Sequence, residues 1–260
     1  GKGMKKVRFQ AHRGVCSEFP ENTLIAYQAA VDQGYDIIEM DCKFTKDDVC
    51  IMFHDKTVNR TARLNGESFG PDPIPVGNFS YAQFLEMDLG VWKGEQFRGE
   101  KVLTLTQALE FVAGQSIACK IDNVWETFPP HQRKILLDIC QKANLSERLG
   151  ITCARLETLK EALQALPEAQ IHWDGDNDTA TLDAVSALVR GRKLTVWVCY
   201  DNPISAWFKG RRATREICDQ VRAYGEVGLW LLVEHSEGIR AIEEFGADVI
   251  ETNGQLKPIR

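Results

Sequence analysis

The sequence contains no apolar run approaching the roughly 20 residues that a membrane helix needs, so no integral membrane segment is expected. It has no surplus of basic charge: 31 Lys and Arg stand against 37 Asp and Glu, a formal net charge of −6. Nucleic-acid affinity rests on neutralising phosphates with Lys and Arg, so no nucleic-acid partner is expected. None of the eight cysteines forms a close pair such as CxxC, and most lie in apolar runs, where a thiol behaves as a small hydrophobe. Neither a zinc site nor a disulfide framework is expected. A reducing compartment follows, with the cytoplasm as the expected location. No secretory leader is read at the N-terminus, although Gly1-Lys2-Gly3 ahead of Met4 leaves a trimmed leader open. Internal repeats and low-complexity linkers are also absent.

At 260 residues, 44% hydrophobic and 26% charged, the chain has the composition of an ordinary globular protein of one large domain or two small ones. Short apolar runs alternate with amphipathic stretches, the pattern of a parallel sheet with crossover helices. Candidate strands are Val7–His12, Ile37–Asp41, Val49–His54, Ile117–Asp122, Leu149–Cys153, Gln170–Trp173, Leu194–Cys199, Gly228–Val233 and Asp248–Thr252. These are nine candidates for the eight positions of a barrel, and Leu194–Cys199 is read as the surplus one. Candidate helices include Glu21–Gln33, opened by Pro20 and closed by Gly34, and Pro130–Ala143. The interval from Asp55 to Leu103 has no clean strand and is rich in Gly and Pro. A segment that long within a compact domain is expected to be functional, a cap or lid.

Polar residues interrupt the strands in a patterned way. Side chains alternate faces along a strand, so Glu39 and Asp41 share a face and can converge on one hard cation. Three other candidate strands also end in ionisable groups: His12 with Arg13, His54 with Asp55, and Lys120 with Asp122. In parallel-sheet and barrel folds the C-terminal strand ends face the active site. Carboxylates hold a divalent cation, Arg13 and Lys120 add positive charge for a phosphate, and two histidines serve as general acid and base. Metal-assisted phosphodiester cleavage uses all of these parts.

The ordered motifs Ala11-His12-Arg13-Gly14, Pro20-Glu21-Asn22-Thr23, Glu39-Met40-Asp41, Thr45-Lys46-Asp47, His54-Asp55 and Arg60-Thr61 resemble the glycerophosphodiester phosphodiesterase family. The resemblance continues through Asp88-Leu89-Gly90, Trp92-Lys93 and Leu103-Thr104-Leu105, and returns at Gly246-Ala247-Asp248 and Glu251-Thr252-Asn253. It implies a single-domain α/β TIM (β/α)8 barrel over 1–260 with a small cap-like insertion, 55–103, after the third strand. It also implies a hydrolase dependent on one divalent cation, Mg²⁺ or Ca²⁺, that releases an alcohol and glycerol phosphate from a small glycerophosphodiester. By match, His12 and His54 are the acid–base pair, Glu39 and Asp41 are metal ligands, and Arg13 and Lys120 face the phosphate.

One departure concerns the metal. The family usually carries a carboxylate two residues before the strand lysine, where this chain has Ala118, and Asp122 is the expected substitute ligand. Glu234 is a further candidate acidic group at the mouth. Trp92 and Phe97 are candidate apolar contacts in the cap, and Trp207-Phe208-Lys209-Gly210-Arg211-Arg212 is a candidate headgroup or lid loop. Asp174–Asp178 lacks the Gly and Glu of a calcium loop and reads as an acidic turn capping the next helix. Two other functions stay open: a lyase-type relative that cyclises a phospholipid headgroup, and a phosphodiester-binding protein with weakened catalysis. The sequence leaves the oligomeric state undetermined.

Overall fold

The computed structural model describes residues 5–200 and 212–260. Its centre is a closed barrel of eight parallel strands. In chain order these are β1 (Arg8–Ala11), β2 (Ile37–Met40), β5 (Ala118–Ile121), β6 (Leu149–Cys153), β7 (Gln170–Trp173), β8 (Leu194–Cys199), β9 (Glu226–Trp230) and β10 (Val249–Thr252), with β10 pairing back onto β1. Between β2 and β5 lies an antiparallel hairpin, β3 (Cys42–Phe44) and β4 (Cys50–Met52).

Two expectations about the strands change here. Leu194–Cys199 is a barrel stave, paired with both β7 and β9, not a surplus strand. The candidate at Val49–His54 does form a strand, but it folds back on Cys42–Phe44 and stays outside the barrel. An apolar run that ends in a histidine looks the same in either setting. The Thr45–Asp48 turn, with Asp48 in the left-handed region at φ +59°, sends the chain back on itself. The insertion expected after the third strand therefore follows the fourth strand in chain order, β4, and the second stave of the barrel.

The helices between staves are α1 (Leu24–Asp32), α3 (Leu105–Ala113), α4 (Pro130–Ala143), α5 (Leu156–Ala165), α6 (Thr179–Val189), α7 (Arg215–Arg222) and α8 (His235–Glu243), with the short α2 (Tyr81–Leu85) inside the insertion. Local chemistry sets several starts. Thr23 caps α1 by accepting from the Ala26 amide. Thr104 and Gln107 form a reciprocal capping box at α3. Asp178 accepts from the Thr181 amide, so the acidic turn is a helix cap. Glu234 stands at the N-cap of α8. Because Thr23 rather than Pro20 opens α1, Glu21 and Asn22 stay in the preceding loop.

The main core lies between the staves and the helices, with Phe9, Ile38, Met40, Ile121, Trp173 and Leu229 almost fully buried. The barrel interior is more polar. Trp197 fills it together with Ile37 and Val249, and the Trp197 indole donates to His172 Nδ1 at 3.0 Å. Two glycines make this space. A Cβ at Gly150 would lie 2.7 Å from His172 Nε2, and one at Gly228 would lie 2.7 Å from the Trp197 ring.

The insertion has its own core of Ile51, Phe53, Val58, Ala62, Val76, Phe84, Met87, Leu89 and Val102. Edge-on ring contacts of Phe84 with Phe53 and Phe79 help to hold it. It packs against the loop between β1 and α1: Phe97 lies 5.7 Å from Phe19, and Lys93 donates to the Cys16 carbonyl at 2.8 Å. That loop leaves the C-terminal end of β1, so these contacts sit at the C-terminal face of the barrel.

Candidate active site

The barrel register brings the ionisable strand ends together. Glu39 is level with Lys120 on the neighbouring stave, and Asp122 follows two residues on, beside Asp41. Carboxylate oxygens of Glu39, Asp41 and Asp122 all lie within 4.8 Å of one another. Ala118 pairs with Ile37 instead, one layer down, and packs against the apolar cluster of Ile37, Trp197 and Val249. The Ala118 methyl therefore brings no oxygen to the carboxylates above it.

Three like charges, buried at Glu39 and Asp41 and part-buried at Asp122, oppose one another. Burial first, and then the charges of Asp41 and Asp122, push the Glu39 carboxyl well above its ordinary range. Burial and Asp41 also raise Asp122. Burial acts against the Asp41 charge too, but the charges of Arg13 and His12 and a hydrogen bond from Asn22 hold it down. All the donors are hard oxygens, and a divalent cation of the Mg²⁺ or Ca²⁺ type would relieve the repulsion. The residues fit such an ion. A second grouping, Glu21, His54 and Asp55, is as close, but the guanidiniums of Arg13 and Arg60 already pair its carboxylates.

Supports surround the cluster. The turn after β1 places Arg13 at φ +59° and Gly14 at φ +82°, so the chain doubles back and the Arg13 amide donates to Glu39 Oε1 at 3.0 Å. A Cβ on Gly14 would come within 2.7 Å of the Ala26 carbonyl oxygen. Asn22 donates to Asp41 Oδ2 at 3.0 Å and accepts from the Tyr27 hydroxyl at 2.8 Å.

Each candidate histidine is fixed through Nδ1. For His12 the partner is Asn253 Oδ1 at 2.6 Å, which also accepts from the Cys16 thiol. For His54 it is Asp55 Oδ1 at 2.7 Å. The Arg13 Nη2 lies 2.9 Å from His54 Nε2. A guanidinium can only donate, so Nε2 carries the lone pair, Nδ1 carries the proton, and His54 is neutral. Burial lowers the His12 pKa, but the Glu251 carboxylate and the Cys16 hydrogen bond outweigh it and raise it to about 9.

Lys120 is 5% exposed, and its ammonium sits 4.5 Å over the Trp197 ring. Burial opposes its charge, yet Glu251, Glu39 and Asp122 raise its pKa, so it stays charged inside the barrel.

Six participants were given no role from the sequence: Glu21, Asn22, Asp55, Arg60, Asn253 and Glu251. Their signal was present, since all lie in the quoted motifs, but apart from Asp55 beside His54 nothing in the chain order pairs them with a histidine or a carboxylate. Glu251 accepts a short hydrogen bond from Gln10 in the barrel interior. Of the basic and aromatic run near 207–212, residues up to Arg211 lie outside the described residues.

The glycerophosphoryl diester phosphodiesterase family model matches residues 12–229. The chain belongs to that family. It is 31% identical over 163 residues to a glycerophosphodiester phosphodiesterase from Caldanaerobacter subterraneus subsp. tengcongensis, covering 62% of this chain and 63% of that protein. The chain thus matches the curated relatives over less than two thirds of their length. Its fold is similar to the crystal structure of a glycerophosphodiester phosphodiesterase from Agrobacterium tumefaciens, with TM-score 0.69, 21% identity, and coverage of 95% of this chain and 96% of that one. An Oleispira antarctica phosphodiesterase solved with its product sn-glycerol-3-phosphate has TM-score 0.73 and 19% identity, with coverage of 95% and 93%. Family membership and the closed barrel agree with the resemblance carried by the motifs.

Proposed function

We propose that this protein hydrolyses small glycerophosphodiesters to an alcohol and glycerol phosphate, using one divalent cation, Mg²⁺ or Ca²⁺. The observation that carries this reading is the pair of Nδ1-anchored histidines flanking a three-carboxylate cluster, with Arg13 between them. The family and the product named for the Oleispira relative support the substrate class.

Glu39, Asp41 and Asp122 would hold the cation, which when bound neutralises phosphate charge and polarises a phosphoryl oxygen. Arg13 presents its fork to the phosphate, and Lys120 adds fixed positive charge from below. As Arg13 turns to the phosphate, it releases the lone pair of His54. His54 then takes the proton from the attacking water, whose oxygen forms the new bond to phosphorus as the bond to the alcohol oxygen breaks, with Asp55 stabilising the imidazolium that forms. His12, held protonated, gives its proton to the departing alkoxide. The insertion packs beside this mouth and contributes to selection of the alcohol, with Trp92 in its wall.

No helix among the described residues is long and apolar enough to cross a membrane. Seven of the eight cysteines are buried, where a thiol packs as a small hydrophobe, which supports a reducing, cytoplasmic setting.

The test is incubation with sn-glycero-3-phosphocholine and related diesters, with Mg²⁺, with Ca²⁺ and with chelator. Metal-dependent release of glycerol phosphate is expected. A cyclic phosphate as the final product would establish the lyase reading, and binding without turnover would establish the binding-protein reading.

A further inference from the structure

Arg60 lies in the insertion, six residues beyond His54, and touches neither histidine. It makes four hydrogen bonds to two carboxylates. Its Nη1 and Nη2 donate to the two Glu21 oxygens at 2.9 and 2.8 Å. Its Nε and Nη2 donate to the two Asp55 oxygens at 2.9 and 3.0 Å. Two edges of one planar group are each used as a fork, which an ammonium cannot reproduce. The face of the guanidinium rests 5.4 Å from the Trp92 ring centre.

These bonds close a ring of side chains. Arg60 holds Asp55, Asp55 holds His54, His54 accepts from Arg13, Arg13 reaches Glu21, and Glu21 returns to Arg60. The lengths within the ring are unequal. Glu21 takes Arg60 at 2.8–2.9 Å but Arg13 only at 3.3–3.4 Å. The carboxylate that could immobilise Arg13 is thus already satisfied by Arg60. The side chain of Glu21 is only 9% exposed, so without Arg60 its charge would have Arg13 as its nearest remaining cation.

We propose that Arg60 is a positioning residue acting at two points: through Asp55 it fixes the proton of His54 on Nδ1, and through Glu21 it leaves Arg13 free for phosphate. This rests on the proposed phosphodiesterase reading for its kinetic consequence, but the tautomer of His54 is independent of any substrate. The two effects separate in kinetics. A loosened Asp55 lowers kcat, because His54 is less often the correct tautomer. Capture of Arg13 by Glu21 raises KM. Outer-shell partners of this kind typically matter by about 10–100-fold.

The experiment compares Arg60→Ala and Arg60→Lys with wild type in the metal-loaded enzyme, with and without a few millimolar guanidinium chloride. Arg60 is 43% exposed in its side chain, so a free guanidinium can reach the gap. Expected results are a loss of about 10–100-fold in kcat/KM for both variants, shared between kcat and KM, and recovery on adding guanidinium for Arg60→Ala alone. Wild-type kcat/KM in Arg60→Ala, or a loss that guanidinium does not restore, overturns the proposal. In parallel, ¹⁵N NMR of the histidine side chains, without substrate, reads the His54 tautomer. Loss of the Nδ1–H form in Arg60→Ala and its return with guanidinium support the proposal; an unchanged tautomer overturns it. If wild type fails to cleave glycerophosphodiesters, the functional reading falls and the NMR result alone decides the role of Arg60. Should Arg60→Ala fail to fold, Arg60→Gln takes its place in both measurements.

Discussion

Replacing the part-buried Asp122 by asparagine removes one of three charges from the carboxylate cluster while keeping the shape and one oxygen. A unit charge pair at ~4 Å is worth about 4 kcal/mol at an effective dielectric of ~20. The amide oxygen still ligates, so a net loss of roughly 2–4 kcal/mol is expected, or roughly 30- to 700-fold in metal affinity. Isothermal titration with Mg²⁺ and Ca²⁺ measures this directly, and activity against metal concentration should shift by a similar factor. A second signature concerns the metal-free protein. Glu39 and Asp122 carry raised pKa values, so their contribution to stability is full at acid pH and is lost as pH rises through the folded-state values. In chelator, wild type should therefore melt at lower temperature as pH rises above the usual carboxylate range, and Asp122→Asn should flatten that decline. Unchanged metal affinity in Asp122→Asn would refute the assignment of this residue. Ala118→Glu should lower the stability of the metal-free protein, because its stem would enter the apolar layer beside Ile37, Trp197 and Val249 and its charge would add to the carboxylates above.

Further expectations concern catalysis, packing and acid stability. His12→Ala and His54→Ala should each lower turnover by ~10²–10⁴-fold with the fold retained, as judged by circular dichroism and a steady-state assay. Gly228→Ala should cost about 1–3 kcal/mol in a denaturant titration, because its Cβ would meet the Trp197 ring at 2.7 Å. Burial, and then the charge of Lys120, hold His172 well below the usual histidine value. The unfolded chain therefore takes up a proton below about pH 6.5 that the folded one refuses, and stability falls as pH drops through that range. His172→Gln should show a shallower acid limb in its melting temperature, and an identical limb would remove His172 as its cause.

The alternation of apolar runs and helical stretches made the barrel legible, and face alternation placed Glu39 and Asp41 together correctly. What the chain order could not show was pairing. Val49–His54 and Leu194–Cys199 are equally apolar, and only the partner of each decides which is a stave. The same limit hid the level of Ala118. Parallel register is set between strands, so a position two residues before a lysine gives no sign of lying one layer below the carboxylates. Glu21 and Asn22 were absorbed into a helix because Pro20 is a plausible start. The Thr23 cap moves that start and leaves them free to reach Arg13, Arg60 and Asp41. Asn253 and Asp55 act on histidines at opposite distances in sequence, 241 residues and one residue away, and the remote pair has no local signature.

The insertion keeps a hydrophobic core separate from that of the barrel, and this has a consequence for how the protein fails. A segment with its own cooperative packing can open as a unit at a free energy below that of global unfolding. Opening would carry away Arg60, Trp92 and Lys93 while the staves with Glu39, Asp41 and His12 stay in place. Heat inactivation should then precede barrel melting, and amides of 55–103 should exchange with solvent ahead of those in β1, β2 and β5. On the proposed reading, activity would be lost and regained reversibly on mild heating, the scaffold intact throughout.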